Sequence, residues 1–352
     1  MNRTALVVGS TGIVGHTLSE HLVARGWSVL GLAREPVATP GVTPLAADLR
    51  DASAVQRTLK DLRPSHVFYA TWSRRPTEAE NIAVNGAMMR NLLTALRPDA
   101  PRHVALVTGL KHYIGSFDNY AKGPPPPTPF REDLPRLPEP QFYYTLEDEL
   151  FAAARRHGFG WSVHRPHTML GFAERNVMNM GTTLAVVATL ARETGRPFVF
   201  PGSAAQWHGL TDMTDARILA GHLEWAATTP AARNQALNVV NGDVFRWKRM
   251  WTRIGDWFGL APAPFTGEGV PLERQMAAAA PAWRALAARH GLAEPDLAKL
   301  ASFWHTDADL GRPFECVTDM SKSRELGFRE YQTTDKAFFA HFAALRARRL
   351  IP

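Results

Sequence analysis

The sequence predicts an α/β protein: an open, doubly wound parallel sheet with a smaller, mostly helical region attached. Three observations predict it. Short apolar runs alternate with amphipathic stretches through the first half, the pattern of parallel strands covered by helices on both faces. A glycine-rich turn, Gly9-Ser10-Thr11-Gly12-Ile13-Val14-Gly15, sits between the first strand and the first helix. The second half loses the alternation and is punctuated by Pro262, Pro264, Pro271, Pro281 and Pro295, which favours short helices over another doubly wound unit.

The elements follow in order. Ala5-Leu6-Val7-Val8 is a short, wholly apolar strand, and residues 13–24 continue with helical spacing until Gly26 ends them. Ser28-Val29-Leu30-Gly31-Leu32 is a second strand, and 42–46 a weaker third. Residues 54–62 are helical, and His66-Val67-Phe68-Tyr69-Ala70 is the fourth strand. Residues 77–96 form a long helix closed by Pro98. Val104-Ala105-Leu106-Val107 and Trp161-Ser162-Val163-His164 are the fifth and sixth strands. Between them, residues 115–141 include Gly123 and four consecutive prolines, which excludes a helix or central strand and leaves a long loop. A helix over 142–156 follows that loop. Further on, helices are expected at 177–192, 212–227, 247–258 and 281–290, with strands at 198–200 and 236–240 and a turn at Asn241-Gly242-Asp243.

Composition removes several classes. The chain has 352 residues, 45% of them apolar and 21% charged, as in ordinary folded proteins. One cysteine, Cys316, allows no internal disulfide, Cys-rich zinc site or iron–sulfur cluster, and no metal is expected. No apolar run approaches the roughly 20 residues of a membrane span. Met1-Asn2-Arg3 leads directly into a strand, so no signal peptide is expected and a reducing cytoplasm is the expected location. The net charge is +7, but only 7 of the 40 basic residues are lysine, and the arginines are spread along the chain. Spread charge reads as solvated surface, so neither nucleic acid nor membrane is an expected partner.

The glycine turn is a phosphate cradle. Gly9, Gly12 and Gly15 let the backbone turn tightly and approach a pyrophosphate, which the helix N-terminus at Thr11, Gly12 and Ile13 favours. Placed between the first strand and first helix of an alternating chain, this is the dinucleotide signature of a Rossmann fold. The first charged residue after the second strand is Arg34, which suits the 2′-phosphate of NADP. The alternative leaves Arg34 on the surface and gives the ribose to Glu35. Asp48 and Leu49, after the third strand, are placed to hold the adenine edge. The expected division gives residues 1–170 and 206–243 to the NADP-binding domain, and 171–205 and 244–352 to the substrate-binding region.

A nicotinamide enzyme needs a group that polarises the substrate oxygen. Short-chain dehydrogenases use a Tyr followed four residues later by a Lys. None of the six tyrosines here has that spacing: Tyr143 and Tyr144, which open the helix after the long loop, are followed by Glu147 and Asp148. The lysine stands elsewhere, in Thr108-Gly109-Leu110-Lys111-His112-Tyr113 directly after the fifth strand. Strand carboxyl ends are where open α/β sheets bind ligands. An ammonium there would favour a nearby phenolate. The plainer alternative is a solvated loop lysine. His112, His164 and Tyr144 read as packing residues, Trp207, Trp247, Trp251 and Trp304 as core or pocket wall, and Arg346, Arg348 and Arg349 as a solvated helix end.

At these residues the sequence resembles the plant progesterone 5β-reductase and iridoid synthase family of atypical short-chain dehydrogenases. The resemblance rests on Thr108-Gly109-Leu110-Lys111-His112-Tyr113 and Phe142-Tyr143-Tyr144-Thr145-Leu146-Glu147-Asp148. It is supported by Thr71-Trp72, Glu132-Asp133-Leu134-Pro135, Trp161-Ser162-Val163-His164-Arg165-Pro166, Asn241-Gly242-Asp243-Val244-Phe245 and Ser321-Lys322-Ser323, and it covers nearly the whole chain. It implies catalytic roles for Tyr143 and Lys111. It puts Thr11, Gly12, Ile13, Arg34, Asp48, Leu49, Thr71 and Met169 on NADPH-contacting positions, with Trp72, Thr108, Pro166, Asn176 and Met178 beside them. Phe117 falls on a pocket aromatic. Three departures stand out: Glu35 replaces a second arginine, His167 puts a ring at the nicotinamide end of the substrate site, and 173–178 differs from the plant pattern.

The implied activity is NADPH-dependent 1,4-reduction of an α,β-unsaturated ketone or aldehyde. The alternatives are short-chain carbonyl reduction on the same scaffold and a non-enzymatic NADP-binding sensor. The expected partner is a small enone or enal, and a homodimer is the commonest assembly for such chains.

Overall fold

The computed structural model describes residues 3–97, 99–116, 127–173 and 176–352. Its strands are β1 (Thr4–Val8), β2 (Ser28–Ala33), β3 (Val42–Ala46), β4 (His66–Tyr69), β5 (His103–Val107), β6 (Gly160–Pro166), β7 (Met169–Leu170), β8 (Thr214–Asp215) and β9 (Gln235–Val239). Seven form one sheet in the order β3-β2-β1-β4-β5-β6-β9, every pair parallel. β7 and β8 pair separately. Strand order reverses between β1 and β4, and in a doubly wound sheet that point opens a crevice at the strands' carboxyl ends.

The helices are α1 (Ile13–Ala24), α2 (Ala52–Leu59), α3 (Glu78–Ala95), α4 (Lys111–Ile114), α5 (Phe142–His157), α6 (Met180–Thr194), α7 (Ala204–His208), α8 (Ala216–Thr228), α9 (Trp247–Phe258), α10 (Leu272–Gln275), α11 (Ala280–His290), α12 (Phe303–Leu310), α13 (Ser321–Glu325) and α14 (Thr334–Ala347). Because a strand's side chains alternate, β1 feeds two cores. Ala5 and Val7 pack with Leu18 and Leu22 of α1 and Leu219 and Leu223 of α8. Leu6 and Val8 pack with Met89 and Leu92 of α3 and Leu146 and Leu150 of α5. A third core, around Trp251, Trp283, Phe338 and Phe342, joins α6, α9, α11 and α14.

The structure moves several expected boundaries. The helix expected from 177 begins at Met180, because Asn179 caps it by accepting from the Thr182 amide. The one expected from 212 begins at Ala216: Thr214 and Asp215 pair with β7 instead, and Asp215 caps α8. Asp51 likewise starts α2 at Ala52. The expected strand at 198–200 is a single bridge, Phe198 to Pro262, and a proline has no N–H to extend a ladder. Trp207, Trp247 and Trp251 are buried, as expected for core residues.

The packing histidines form a chain across the sheet. His103 Nε2 meets Ser162 Oγ at 2.9 Å, which meets His164 Nε2 at 2.8 Å. His164 Nδ1 meets His222 Nδ1 at 2.8 Å, and His222 Nε2 meets Ser323 Oγ at 3.0 Å. Burial pushes His103 and His222 down to about 3 and His164 well below its ordinary value. These rings are therefore neutral in the fold, whereas the unfolded chain protonates them near pH 6.5. Below that pH the unfolded state takes up more protons, so their stabilisation is complete above about 6.5 and is lost as pH falls toward 3. Thermal melts should show Tm dropping steeply from about pH 6.5 to 4; a flat Tm across that range would contradict the neutral chain.

Candidate active site

The glycine turn has the geometry its sequence requires. Gly9 adopts φ +87°, its amide donates to Leu32 O at 2.8 Å, and its carbonyl accepts from the Gly12 amide at 3.0 Å. A Cβ on Gly9 would stand 2.7 Å from both Ala70 O and Thr71 Cβ. A Cβ on Gly15 would stand 2.1 Å from Gly9 O, so this glycine lets α1 pack against the turn. Gly12 is the N-cap of α1 and has no side chain to occupy the helix end.

The turn borders a cavity of about 400 Å³, lined by Gly9, Thr11, Arg34, Asp48, Leu49, Thr71 and Trp72 among others. Arg50, Arg74 and Arg75 line it too and were not singled out in the sequence. Arg50 holds Asp48 through Nε at 3.0 Å and Nη2 at 2.5 Å, which lowers the Asp48 pKa. Asp48 therefore stays ionised, with Arg50 beside it on the same rim as Arg34.

A second cavity, sharing Trp72 with the first, lies over the carboxyl ends of β5 and β6. Its wall brings together Ile13, Thr108, Lys111, Tyr143, Pro166 and Met169, with His167, Asn176 and Met178. Phe117 lies outside the described residues. Lys111 begins α4, and Gln141 Nε2 donates to its carbonyl at 2.7 Å, which joins α4 to the start of α5. Its ammonium sits 4.8 Å from the Trp72 ring centre and 5.3 Å from that of Phe142, two rings stacked on each other. Such faces attract a cation and fix a long, flexible side chain.

Tyr143 stands against Gly109: a Cβ there would be 3.5 Å from the phenol oxygen. Burial raises the phenol's pKa, and the Glu78 carboxylate adds to the rise. Both influences favour the protonated phenol, opposite in direction to the phenolate that a nearby ammonium would favour. Glu78 has a second role. Gln141 supplies no side-chain cap for α5, and Glu78 Oε1 accepts from the Phe142 amide at 2.8 Å. It thus anchors the helix start that carries Tyr143.

The residue four after Tyr143 explains the missing lysine. Glu147 is buried, and it accepts from Arg136 at 2.8 Å and Arg165 at 3.3 Å. Tyr144 donates to His112 O at 2.7 Å and accepts from the Leu137 amide at 2.8 Å. This face of α5 clamps α4, the loop at 136–137 and β6 together, while the Tyr143 side faces the cavity.

Residues 50–352 match a sequence family described as the PRISE-like Rossmann-fold domain. The chain belongs to that family. It is 39% identical, over 99% of its length and 93% of the relative's, to an (S)-8-oxocitronellyl enol synthase of Camptotheca acuminata. It is 37% identical, over the same shares, to the 3-oxo-Delta(4,5)-steroid 5-beta-reductase of Arabidopsis thaliana. Both names are those of enzymes, one a reductase. The fold also matches the UDP-glucose 4-epimerase of Thermus thermophilus, solved in complex with NAD, at a TM-score of 0.66 and 18% identity, over 97% of this chain and 99% of the epimerase.

This PRISE-like chain has one cavity wall that sequence reading missed. His305 and Asp309 of α12, with Arg312 just beyond it, line the cavity of Tyr143. His167, expected to face substrate, is fixed from behind: its Nδ1 donates to Asp212 at 2.8 Å, and its Nε2 accepts from Arg312 at 2.9 Å. No helix among the described residues is long and apolar enough to cross a membrane, and none of their side-chain clusters could hold a metal ion.

Proposed function

We propose that the protein is an NADPH-dependent reductase of activated carbon–carbon double bonds, acting on α,β-unsaturated ketones or aldehydes. The observation that carries this reading is that Trp72 lines two neighbouring cavities, one bordered by the glycine cradle and Arg34, the other by Tyr143 and Lys111. The enol synthase and steroid reductase among its relatives support it.

The residues present fit a dinucleotide phosphate. Gly9 and Gly15 let the turn and α1 pack closely, and Gly12, the N-cap, carries no side chain over the helix end that would meet a pyrophosphate. Arg34, and Arg50 in its pair with Asp48, line the same cavity and would be the cations to meet a 2′-phosphate. When bound, the reduced nicotinamide supplies a hydride for the β-carbon of the substrate. As negative charge reaches the substrate's carbonyl oxygen, the protonated Tyr143 donates a hydrogen bond to it. Lys111, fixed over Trp72 and Phe142, stabilises the same charge electrostatically. No side chain is assigned to deliver the α-carbon proton, which comes from solvent.

The test is NADPH oxidation with 2-cyclohexen-1-one, with the product identified. The saturated ketone is expected; the allylic alcohol would mean carbonyl reduction, and cofactor binding without turnover on any enone would mean a sensor. Arg34→Gln should raise KM for NADPH about ten- to a hundredfold and leave NADH little changed, since a hydrogen bond to a charged group contributes about 1.5–3 kcal/mol. Equal effects on both cofactors would return the ribose to Glu35.

A further inference from the structure

The cavity wall opposite the aromatic box is polar, and its charges are not evenly committed. Asp309 is buried, yet its carboxylate lines the cavity. Thr168 Oγ1 donates to its Oδ2 at 2.8 Å. Its nearest cation, Arg312 Nη2, stands 4.0 Å from Oδ1, beyond hydrogen-bond distance. Arg312 also lines the cavity, and two of its nitrogens are held by other groups. Its Nε donates to the Asp309 carbonyl at 2.7 Å, and its Nη1 meets His167 Nε2 at 2.9 Å and Cys316 Sγ at 3.2 Å. Its charge holds Asp309 ionised, as the lowered carboxyl pKa reflects, without filling the second oxygen.

A buried carboxylate is an acceptor with about four lone-pair sites, and leaving one unmet is costly. Among the described residues, Thr168 and Arg312 are the groups that meet Asp309 at these distances. The cavity side therefore calls for a donor. Beside Asp309 a neutral donor is favoured over an anionic group, because the carboxylate's own charge lies at that part of the wall. His305 lies four residues before Asp309, on the same face of α12, and gives this wall a second polar group. Burial lowers its pKa, so the ring is neutral.

We propose that the substrate of this reductase is a neutral enone or enal carrying a hydroxyl group, and that Asp309 accepts the hydrogen bond from that hydroxyl. The inference rests on the enone-reductase reading of the site and adds the class of compound that its second wall selects.

The test compares kcat/KM for 2-cyclohexen-1-one with that for its 4-hydroxy, 4-(hydroxymethyl), 4-methyl and 4-carboxylate derivatives. The better hydroxylated member should exceed the methyl member by roughly ten- to a hundredfold, and the carboxylate should be the poorest substrate. Asp309→Asn, which keeps the shape and an oxygen for Thr168, should bring the hydroxyl-to-methyl ratio down toward one. The wild-type ratio tests the proposal even if that variant does not fold. Reduction of every compound without a hydroxyl preference, or a preference for the carboxylate, would overturn this inference and leave enone reduction standing. Reduction of none of them would overturn both.

Discussion

Replacing Tyr143 with phenylalanine is expected to lower kcat for enone reduction about a hundred- to a thousandfold, with NADPH affinity little changed. The size is that of losing one preorganised donor to a developing oxyanion. The selectivity for kcat follows from position: Tyr143 lines the cavity beyond Trp72, and does not line the one bordered by the glycine turn and Arg34. The protonated state of the phenol adds a second readout. Burial and Glu78 both push its pKa above the ordinary value near 10. The wild-type rate should therefore show no phenol titration between neutral pH and about 9. Tyr143→Phe acting at the wild-type rate would remove this residue from the chemistry. A rate that climbed with pH along a phenol titration would reassign it as a phenolate.

The parts of the site that sequence showed are those made by local chain geometry. The turn from Gly9 to Gly15 joins one strand to one helix, so its spacing alone carries its shape. The positions of Lys111 and Tyr143 were legible because each directly follows a landmark, a strand end for one and the start of a helix for the other, whereas the roles proposed for them came from the family resemblance. What sequence did not show comes from distant segments. Glu78 caps α5 from 64 residues away, and no local pattern marks a carboxylate for that purpose. Asp309 reaches Thr168 across 141 residues, and Arg312 reaches His167 across 145. The wall formed by α12 is readable only once the C-terminal region has packed against the sheet. The same holds for Glu147: its acidic character at the usual lysine position was visible, but its reason, the pairing with Arg136 and Arg165, was not. Helix starts were misplaced for a milder reason: Asn179 and Asp215 are caps that look like the first residues of the helices they begin.

Gly15→Ala should both destabilise the protein and abolish its binding of reduced cofactor at concentrations that saturate the wild type. In most helices this change adds stability, because alanine is favoured over glycine by about 1 kcal/mol. Here the sign reverses. The new Cβ would lie 2.1 Å from Gly9 O, 2.7 Å from Gly9 C and 2.9 Å from Ser10 Cα, all backbone atoms. That backbone cannot yield locally, since Gly9 is tied to Leu32 O and to the Gly12 amide. Either α1 moves off the sheet or the turn opens, and overpacking of this kind costs about 1–3 kcal/mol. Gly12→Ala supplies the contrast. Its Cβ would meet Gly9 O at 3.4 Å, an ordinary contact, so Tm should hold while the side chain obstructs the ligand's approach to the helix end. Thermal melts and NADPH fluorescence titrations on the two variants separate the roles: a fall in both readouts for Gly15→Ala, and in affinity alone for Gly12→Ala. A Gly15→Ala protein with wild-type Tm would show that the close approach of helix and turn is not what this glycine provides.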